Sequence, residues 1–356
     1  MSETVFSDEP LSVGILGATG VVGQRVVTRL SGHPWFRVGA LAGSIRSQGR
    51  AYRDAVRWLE PTPIPGWAAS MTVRPPDPGL GCDLVISALD SDAAAAVEPR
   101  FLDAGVPVIS NAKTFRMEAG VPLLVPDVNP DHAEVLRNRP RGRGFVVTNP
   151  NCSTTGLVVA LKPLADTFGI GRLSVTTLQA VSGAGHPGVP SMDILGNVLP
   201  DIEGEAEKLE TETQKILGDR VGPDIRRASF PVGAQANRVP VLDGHLLSVA
   251  VETLRPARVH EAREFFEECR SPLRDLGLPS APEEPIRFSP DRGFPQPRLH
   301  AMSGNGMAVC VGGLKACPAL GLRFLVLVHN TVRGAAGGAL LNAEFLLAKG
   351  LLTGVS

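Results

Sequence analysis

The first third of the chain alternates short apolar runs with segments in which apolar residues recur at helical spacing. An apolar run over residues 11–16 precedes a glycine-rich turn and a segment of helical periodicity at residues 24–30. A second apolar run covers residues 36–41. Short apolar runs bounded by turn residues indicate buried strands, and alternation of strand and helix is typical of a parallel sheet. The pattern therefore predicts a βαβ unit near the start of the chain.

This pattern continues to the middle of the chain and then changes. Apolar runs predict further strands over residues 84–88, 107–110 and 145–147, with an alanine-rich helix at 93–97. Alternating apolar and polar positions predict half-buried strands over residues 173–181, 245–252, 306–314 and 322–329. The last segment, rich in alanine and glycine, is predicted to be a helix.

The length of 356 residues favours two domains, because the chain is long for one hydrophobic core. We expect an α/β protein with an N-terminal Rossmann-type dinucleotide-binding domain over residues 1–150. A C-terminal helix, residues 331–356, is expected to complete this domain. Residues 151–330 are expected to form an α+β domain with a mixed sheet.

The turn after the first predicted strand has the spacing of a dinucleotide-binding motif. Its residues are Gly17, Ala18, Thr19, Gly20, Val21, Val22 and Gly23. Glycines at this GxxGxxG spacing permit a tight turn, close approach of the backbone to a pyrophosphate and close packing of helix on strand. A glycine-rich turn without a ligand is the alternative. The position between strand and helix favours cofactor binding.

The residues after the second predicted strand indicate which dinucleotide binds. NAD sites commonly carry an acidic residue here to hold the ribose hydroxyls. No Asp or Glu occurs between Gly23 and Asp54, whereas Ser44, Arg46 and Ser47 suit a 2′-phosphate. The sequence therefore predicts NADP, with a solvated polar loop as the alternative.

Cys152 lies where a predicted strand gives way to a helix, with Asn151 or Ser153 available to cap the helix. Unpaired N–H groups and the helix dipole favour a thiolate at such a position, which predicts a nucleophile near neutral pH. The alternative is a small buried cysteine in a tight turn. A reactive thiol needs a proton-transfer partner, and His245 and His186 are both candidates.

Composition narrows the classes of function. The net charge of −1 gives no general attraction to nucleic acid or to an anionic membrane. Five cysteines without close spacing indicate a reducing compartment and no disulfide framework, and the lack of a CxxC pair argues against a zinc site. Neither a secretory signal nor an apolar run of membrane-spanning length is recognisable. We expect a cytoplasmic protein with a small-molecule substrate, no metal, and no nucleic-acid or membrane partner.

Several longer motifs occur in one order along nearly the whole chain. They are GATG at 17–20 with VGQR at 22–25, NPNCST at 149–154, QAVSGAG at 179–185, NRVPVLDGH at 237–245 and NTVRGAAG at 330–337. With these motifs the chain resembles the aspartate-semialdehyde dehydrogenase family, in particular its archaeal and fungal branch. His186 departs from the family pattern, in which a tyrosine is expected.

The resemblance implies a role for each site residue. Cys152 would be the nucleophile that forms a thioester, His245 the general acid/base, and Gln179 a group that positions the acyl-enzyme. The implied substrate contacts are Arg238 to the carboxylate, Glu205 to the ammonium, and Lys208, Arg116 and Asn151 to phosphate. Glu207 remains an alternative to Glu205. Ser87, Gly183 and Asn330 would complete the cofactor contacts, with Asn330 near the nicotinamide.

The implied reaction is reduction of L-aspartyl 4-phosphate by NADPH to L-aspartate 4-semialdehyde and phosphate, within amino-acid biosynthesis. The second domain would then be catalytic and would also form a homodimer, which in some relatives pairs into a homotetramer. Two alternatives remain open: a related acyl reductase such as malonyl-CoA reductase, and a catalytically silent paralogue that binds nucleotide. Malonyl-CoA has no ammonium for Glu205, which favours the amino-acid substrate.

Overall fold

The computed structural model describes residues 9–139 and 142–352. Residues 1–8 and 140–141 of the predicted first domain lie outside the described residues. So do residues 353–356 of the predicted C-terminal helix.

Six parallel strands form the first sheet, in the order β3-β2-β1-β4-β5-β6. The strands are β1 (Leu11–Leu16), β2 (Phe36–Ala42), β3 (Val73–Arg74), β4 (Leu84–Ser87), β5 (Val108–Ser110) and β6 (Val146–Thr148). The helices of this part are α1 (Val21–Arg29), α2 (Tyr52–Ala55), α3 (Gly66–Ala69) and α4 (Ser91–Asp103). This is the strand order of a dinucleotide-binding Rossmann fold, in which ligands bind at the carboxyl edge between β1 and β4.

A second six-stranded sheet has the order β10-β7-β11-β14-β13-β12 and mixes parallel with antiparallel pairs. Its strands are β7 (Ile170–Gln179), β10 (Val232–Arg238), β11 (His245–Thr253), β12 (Ile286–Ser289), β13 (Val309–Cys317) and β14 (Gly321–Val328). Two further strands, β8 (Asp219–Val221) and β9 (Asp224–Arg226), form a separate hairpin. The helices are α5 (Cys152–Phe168), α6 (Ser191–Ile194), α7 (Glu205–Ile216), α8 (Val259–Glu268), α9 (Pro297–His300) and α10 (Gly337–Ala348). The predicted fold class is confirmed.

Helix α5 joins the two halves and lies in the core of the second. Its side chains at Leu157, Leu161 and Leu164 are fully buried and belong to one apolar cluster with Val249 and Val326 of the second sheet. Strand β7 alternates buried and more exposed positions. One face of the second sheet therefore packs on α5, and the other lies open in the single chain.

The C-terminal segment returns to the first sheet. A π-helical turn, Val332–Ala336, leads into α10, and Leu340 and Phe345 of that helix share an apolar cluster with Ile15 of β1. The C-terminal helical segment therefore begins with a π-turn. Strands β10 and β12 were not predicted, because β10 contains polar residues on both faces and β12 has only four residues.

Candidate active site

Cys152 is the first residue of α5, and its neighbour Asn151 caps the helix. The Asn151 Oδ1 accepts hydrogen bonds from the backbone N–H groups of Ser153 at 2.9 Å and Thr154 at 3.4 Å. Of the two predicted caps the structure therefore uses Asn151, while Ser153 is buried inside the first turn. This cap fixes the helix start and with it the position of the Cys152 side chain.

His245 is the imidazole that the structure brings to the thiol. It begins β11, is fully buried, and its Nε2 lies 3.1 Å from Cys152 Sγ. Its Nδ1 accepts a hydrogen bond from the backbone N–H of Ala180 at 3.0 Å. His186, the other candidate, is exposed on the loop that follows Gly185.

Burial controls the protonation of this pair. Together with the negative charge of Glu205, and against the opposing effect of Arg116, it raises the pKa of Cys152 to about 12. Burial also lowers the pKa of His245 to about 3, helped by the positive charge of Arg238. The expectation of a thiolate near neutral pH is therefore wrong, since loss of solvation outweighs the effect of the helix N-terminus.

Glu205 lies at the start of α7 and is buried against the cysteine loop. Its Oε2 accepts hydrogen bonds from Asn151 Nδ2 at 2.8 Å and Gln179 Nε2 at 3.0 Å, and its Oε1 pairs with Lys208 Nζ at 2.6 Å. Burial by itself raises the pKa of Glu205, but the Lys208 ammonium and these amides hold it below its usual value. Glu207, the alternative acid, is exposed.

Two arginines flank the thiol. Arg238 ends β10, and its Nη1 donates to the carbonyl of Ala180 at 2.9 Å and to Gln179 Oε1 at 3.4 Å. Arg116 donates from Nη2 to the carbonyl of Asn111 at 2.7 Å. Both guanidinium groups are buried, which favours pairing with an anionic ligand in fixed geometry.

Glu212 is a site residue that the sequence did not reveal. Its Oε1 pairs with Arg116 Nη1 at 2.9 Å, and its Oε2 accepts the backbone N–H of Asn151 at 2.6 Å. One carboxylate thus connects an arginine of the site to the helix that carries the nucleophile. Helical spacing is the sequence signal that could have identified it. Glu205, Leu209 and Glu212 follow one another at helical spacing and all lie on the buried face of α7.

A cavity of about 300 Å³ lies between the two halves at this point. Residues of both halves line it, among them Val21, Val22, Arg116, Asn151, Cys152, Gln179, Gly183, Glu205, Lys208 and Asn330. The structure therefore brings half of the predicted site residues, ten of twenty, to one cavity. Arg238 and His245 adjoin it through Gly183, where an added Cβ would lie 2.9 Å from Arg238 Nη1 and 3.1 Å from His245 Nε2.

The glycine-rich turn has the geometry of a phosphate cradle. Gly17 has a φ of +76°, and a Cβ there would lie 2.6 Å from the carbonyl oxygen of Ala88. A Cβ at Gly23 would lie 2.2 Å from the Gly17 carbonyl oxygen. Gly20 precedes α1 without a side-chain cap, and the first turn of α1 has no acidic residue. The N–H groups at this helix start therefore suit a pyrophosphate.

The remaining predicted cofactor residues lie in different surroundings. Ser44 and Arg46 are exposed in the loop after β2, whereas Ser47 is buried and its hydroxyl donates to the Ser44 carbonyl at 2.9 Å. Ser87 is fully buried at the end of β4. Asn330 accepts the N–H of Gly244 at 2.9 Å and, through Nδ2, donates to Ser182 Oγ at 2.8 Å.

Residues 9–139 and 142–352 contain neither a cluster of metal-ligating side chains nor a helix that could span a membrane. No group of three or more His, Cys, Asp or Glu residues is placed to hold a metal ion. No helix in these ranges combines the length and apolar character needed to cross a membrane.

Comparisons with known proteins agree with this arrangement. The family model "Semialdehyde dehydrogenase, NAD binding domain" matches residues 12–136, and "Semialdehyde dehydrogenase, dimerisation domain" matches residues 161–333. The aspartate-semialdehyde dehydrogenase of Archaeoglobus fulgidus is 47% identical, with 94% of this chain and 98% of that protein covered. The enzyme of the same name from Schizosaccharomyces pombe is 45% identical, with 96% and 99% covered.

A solved structure gives the same result in three dimensions. The crystal structure of the Candida albicans aspartate-semialdehyde dehydrogenase with NADP superposes with a TM-score of 0.90 at 42% identity. The superposition covers 96% of this chain and 100% of the Candida albicans chain. The matched models, the identity over nearly the full length and the common fold show that this chain belongs to the aspartate-semialdehyde dehydrogenase family.

Proposed function

We propose that the protein reduces L-aspartyl 4-phosphate to L-aspartate 4-semialdehyde with NADPH and releases phosphate, as a step in the biosynthesis of aspartate-derived amino acids. The observation that carries this proposal is the contact of 3.1 Å between Cys152 Sγ and His245 Nε2 beside a dinucleotide-type crevice. A thiol in contact with an imidazole suits formation of a covalent acyl-enzyme.

The buried charges of the site match the charges of this substrate. Arg238 would bind the α-carboxylate through its planar guanidinium, and Glu205 would bind the ammonium. Lys208, Arg116 and Asn151 surround the thiol and would hold the phosphate. Gln179 donates to Glu205 and accepts from Arg238, and would thus keep both groups in place.

The chain also offers a site for NADP. The turn from Gly17 to Gly23 would hold the pyrophosphate, and Ser44, Arg46 and Ser47 would face the 2′-phosphate. Ser87, Gly183 and Asn330 would contact the rest of the cofactor. When bound, NADPH supplies the hydride that reduces the thioester.

We propose in addition that the protein is a homodimer and that it works in the cytoplasm. The open face of the second sheet and exposed apolar side chains such as Leu178, Met192 and Leu195 support self-association. The dimerisation-domain model covers this part of the chain. A reducing compartment would keep Cys152 as the free thiol that the reaction requires.

The test is phosphate-dependent reduction of NADP⁺ with L-aspartate 4-semialdehyde, measured for the natural protein and for Cys152→Ala. We expect activity that is lost in the variant while NADPH binding, followed by fluorescence, persists. Activity with malonyl-CoA and none with the semialdehyde would contradict the proposed substrate. NADPH binding without either activity would contradict the proposed reaction and leave a nucleotide-binding paralogue.

A further inference from the structure

Two buried polar side chains hold the glycine-rich turn from its inner side. Tyr52, the first residue of α2, is fully buried, and its Oη donates a hydrogen bond of 2.8 Å to the carbonyl oxygen of Ala18. Gln24 of α1 is only 1% exposed, and its Nε2 donates to the carbonyl oxygen of Thr19 at 2.9 Å. Two successive peptide groups of the turn thus direct their carbonyl oxygens into the protein.

The direction of the Ala18 carbonyl also sets the direction of the Thr19 N–H. In a trans peptide the N–H points opposite to the carbonyl oxygen, so this N–H points away from Tyr52. Within the part of the chain that the structure describes, no protein acceptor contacts the Thr19 N–H. Thr19 is partly exposed and lies just before α1, so its N–H can join those of the helix start in binding an anion.

The two anchoring side chains are themselves held by the segment that follows β2. Gln24 Nε2 also donates to the carbonyl oxygen of Arg57 at 3.0 Å, and its Oε1 accepts the N–H of Leu59 at 2.7 Å. The Tyr52 ring packs edge-on against Trp58, with ring centroids 6.2 Å apart. Burial raises the pKa of Tyr52, so the phenol keeps its proton and remains a donor at neutral pH.

A glycine-rich turn needs such anchors because its backbone can otherwise rotate. Gly17 and Gly20 have no side chain to restrict the peptide groups between them. A peptide group that turned over would direct a carbonyl oxygen, which carries a partial negative charge, at the pyrophosphate. It would also withdraw the N–H that binds this group.

We propose that Tyr52 and Gln24 are positioning residues of the cofactor site, which hold the glycine-rich turn in the orientation that binds the pyrophosphate. This inference rests on the proposed function, of which the NADP site is a part. Neither side chain needs to touch the cofactor, because both act through the backbone of the turn.

Tyr52→Phe tests this role, since it keeps the ring in the core and removes only the donor to Ala18. One hydrogen bond of this kind corresponds to about tenfold in a binding constant, and we expect the Kd for NADPH, measured by fluorescence, to rise by about that factor. Gln24→Met, which keeps the length of the side chain but cannot donate, should have the same effect. Circular dichroism should show both variants folded.

A second ligand separates positioning of the turn from general damage to the fold. Adenosine 2′-phosphate has the 2′-phosphate of NADPH but no pyrophosphate, so Tyr52→Phe should leave its Kd unchanged. The matched variant is Thr148→Val, which removes another buried hydroxyl bonded to a carbonyl oxygen, that of Pro122 at 3.0 Å, and should leave the Kd for NADPH unchanged. Equal weakening of both ligands by Tyr52→Phe would overturn the proposal.

Nuclear magnetic resonance tests the contact without a substitution. Tyr52 is the only tyrosine in the sequence, so protein grown with 3-fluorotyrosine gives a single ¹⁹F signal. We expect this signal to shift when NADPH binds, because the pyrophosphate polarises the peptide group to which Tyr52 donates, and to stay in place with adenosine 2′-phosphate. A signal that bound NADPH leaves in place, or equal shifts with both ligands, would contradict the proposal.

These experiments separate this inference from the proposed function. Absence of NADPH binding in the natural protein would remove the proposed cofactor, and this inference with it. Tight NADPH binding that neither Tyr52→Phe nor Gln24→Met weakens would overturn this inference alone. Weakened binding in the variants of a protein that does not act on the semialdehyde would support the inference and remove the proposed reaction.

Discussion

At the scale of single residues, the feature that positions the nucleophile also suppresses its ionisation. Asn151 caps α5 and orders the turn that holds Cys152, but the groups packed around the sulfur disfavour its charged form. Arg116 and the Ser153 N–H favour the thiolate, yet burial and Glu205 hold the pKa of Cys152 at about 12. At neutral pH we therefore expect Cys152 to be a thiol.

This state predicts the pH dependence of Cys152 alkylation by iodoacetamide. Since the thiolate reacts and the pKa is about 12, the rate should rise about tenfold per pH unit, with no plateau between about pH 7 and 10. Mass spectrometry of the Cys152 peptide measures the rate separately from the other cysteines, and Cys152→Ser is the blank. A plateau near neutral pH would show a stabilised thiolate instead.

Glu212 gives a second prediction at this scale. In Glu212→Gln the side-chain volume remains, but an amide N–H₂ or a neutral oxygen replaces the charge that holds Arg116. We expect Arg116 to leave its position, so that the KM for phosphate rises about tenfold while kcat changes less. Steady-state kinetics at varied phosphate measure this split.

Glu207→Gln is the matched control, because Glu207 lies exposed on the same helix. It should leave both constants unchanged. A fall in kcat with an unchanged KM for phosphate in Glu212→Gln would mean that Glu212 acts mainly through the Asn151 N–H.

At the scale of elements, close contact between the C-terminal π-turn and α5 sets the position of the thiol. A Cβ added at Gly334 would lie 2.5 Å from the Cβ of Cys152 and 2.8 Å from its Cα. In Gly334→Ala the π-turn and the start of α5 cannot both keep their positions, and we expect α5 to shift. A shift of about 1 Å in a reacting group can cost about 10²-fold in rate, and we expect a loss of kcat near that size with NADPH binding retained.

Gly66→Ala is the control, since a Cβ there meets no atom within 4 Å and Gly66 does not have a positive φ. Circular dichroism should show both variants folded. Full activity of Gly334→Ala would mean that the π-turn can move without the thiol.

Elements with a strong local pattern could be predicted from the sequence. Predictions failed where contacts between residues far apart in sequence determine the structure or the pKa. Strand β1 has the predicted bounds, because its apolar run ends at a glycine turn. Strand β10 was missed, since its polar residues become strand-like only beside β7. The prediction for Cys152 placed the residue at a helix start, but burial, which fixes its pKa, depends on α7 and β11. The partners of Glu212 are likewise 61 and 96 residues away in sequence.

At the scale of the whole molecule, a buried ion pair ties the two halves and the C-terminal segment together. Asp127 lies in the connection between β5 and β6, in the first half. Its Oδ2 pairs with Arg333 of the π-turn. Its Oδ1 accepts a hydrogen bond from Ser271 Oγ, in the second half, at 2.6 Å. Arg333 is only 1% exposed, so its charge depends on Asp127 for compensation.

Asp127→Asn keeps the shape of the side chain and leaves the Arg333 charge without its counter-ion. Breaking one partner of a buried pair costs about 3–5 kcal/mol, and we expect the free energy of unfolding to fall by this amount. The double variant Asp127→Asn with Arg333→Met removes the stranded charge and should recover part of the loss. Urea denaturation at one fixed protein concentration measures both, since self-association would otherwise contribute to stability. A double variant that is less stable than Asp127→Asn would show that Arg333 stabilises the junction through its packing and not through its charge.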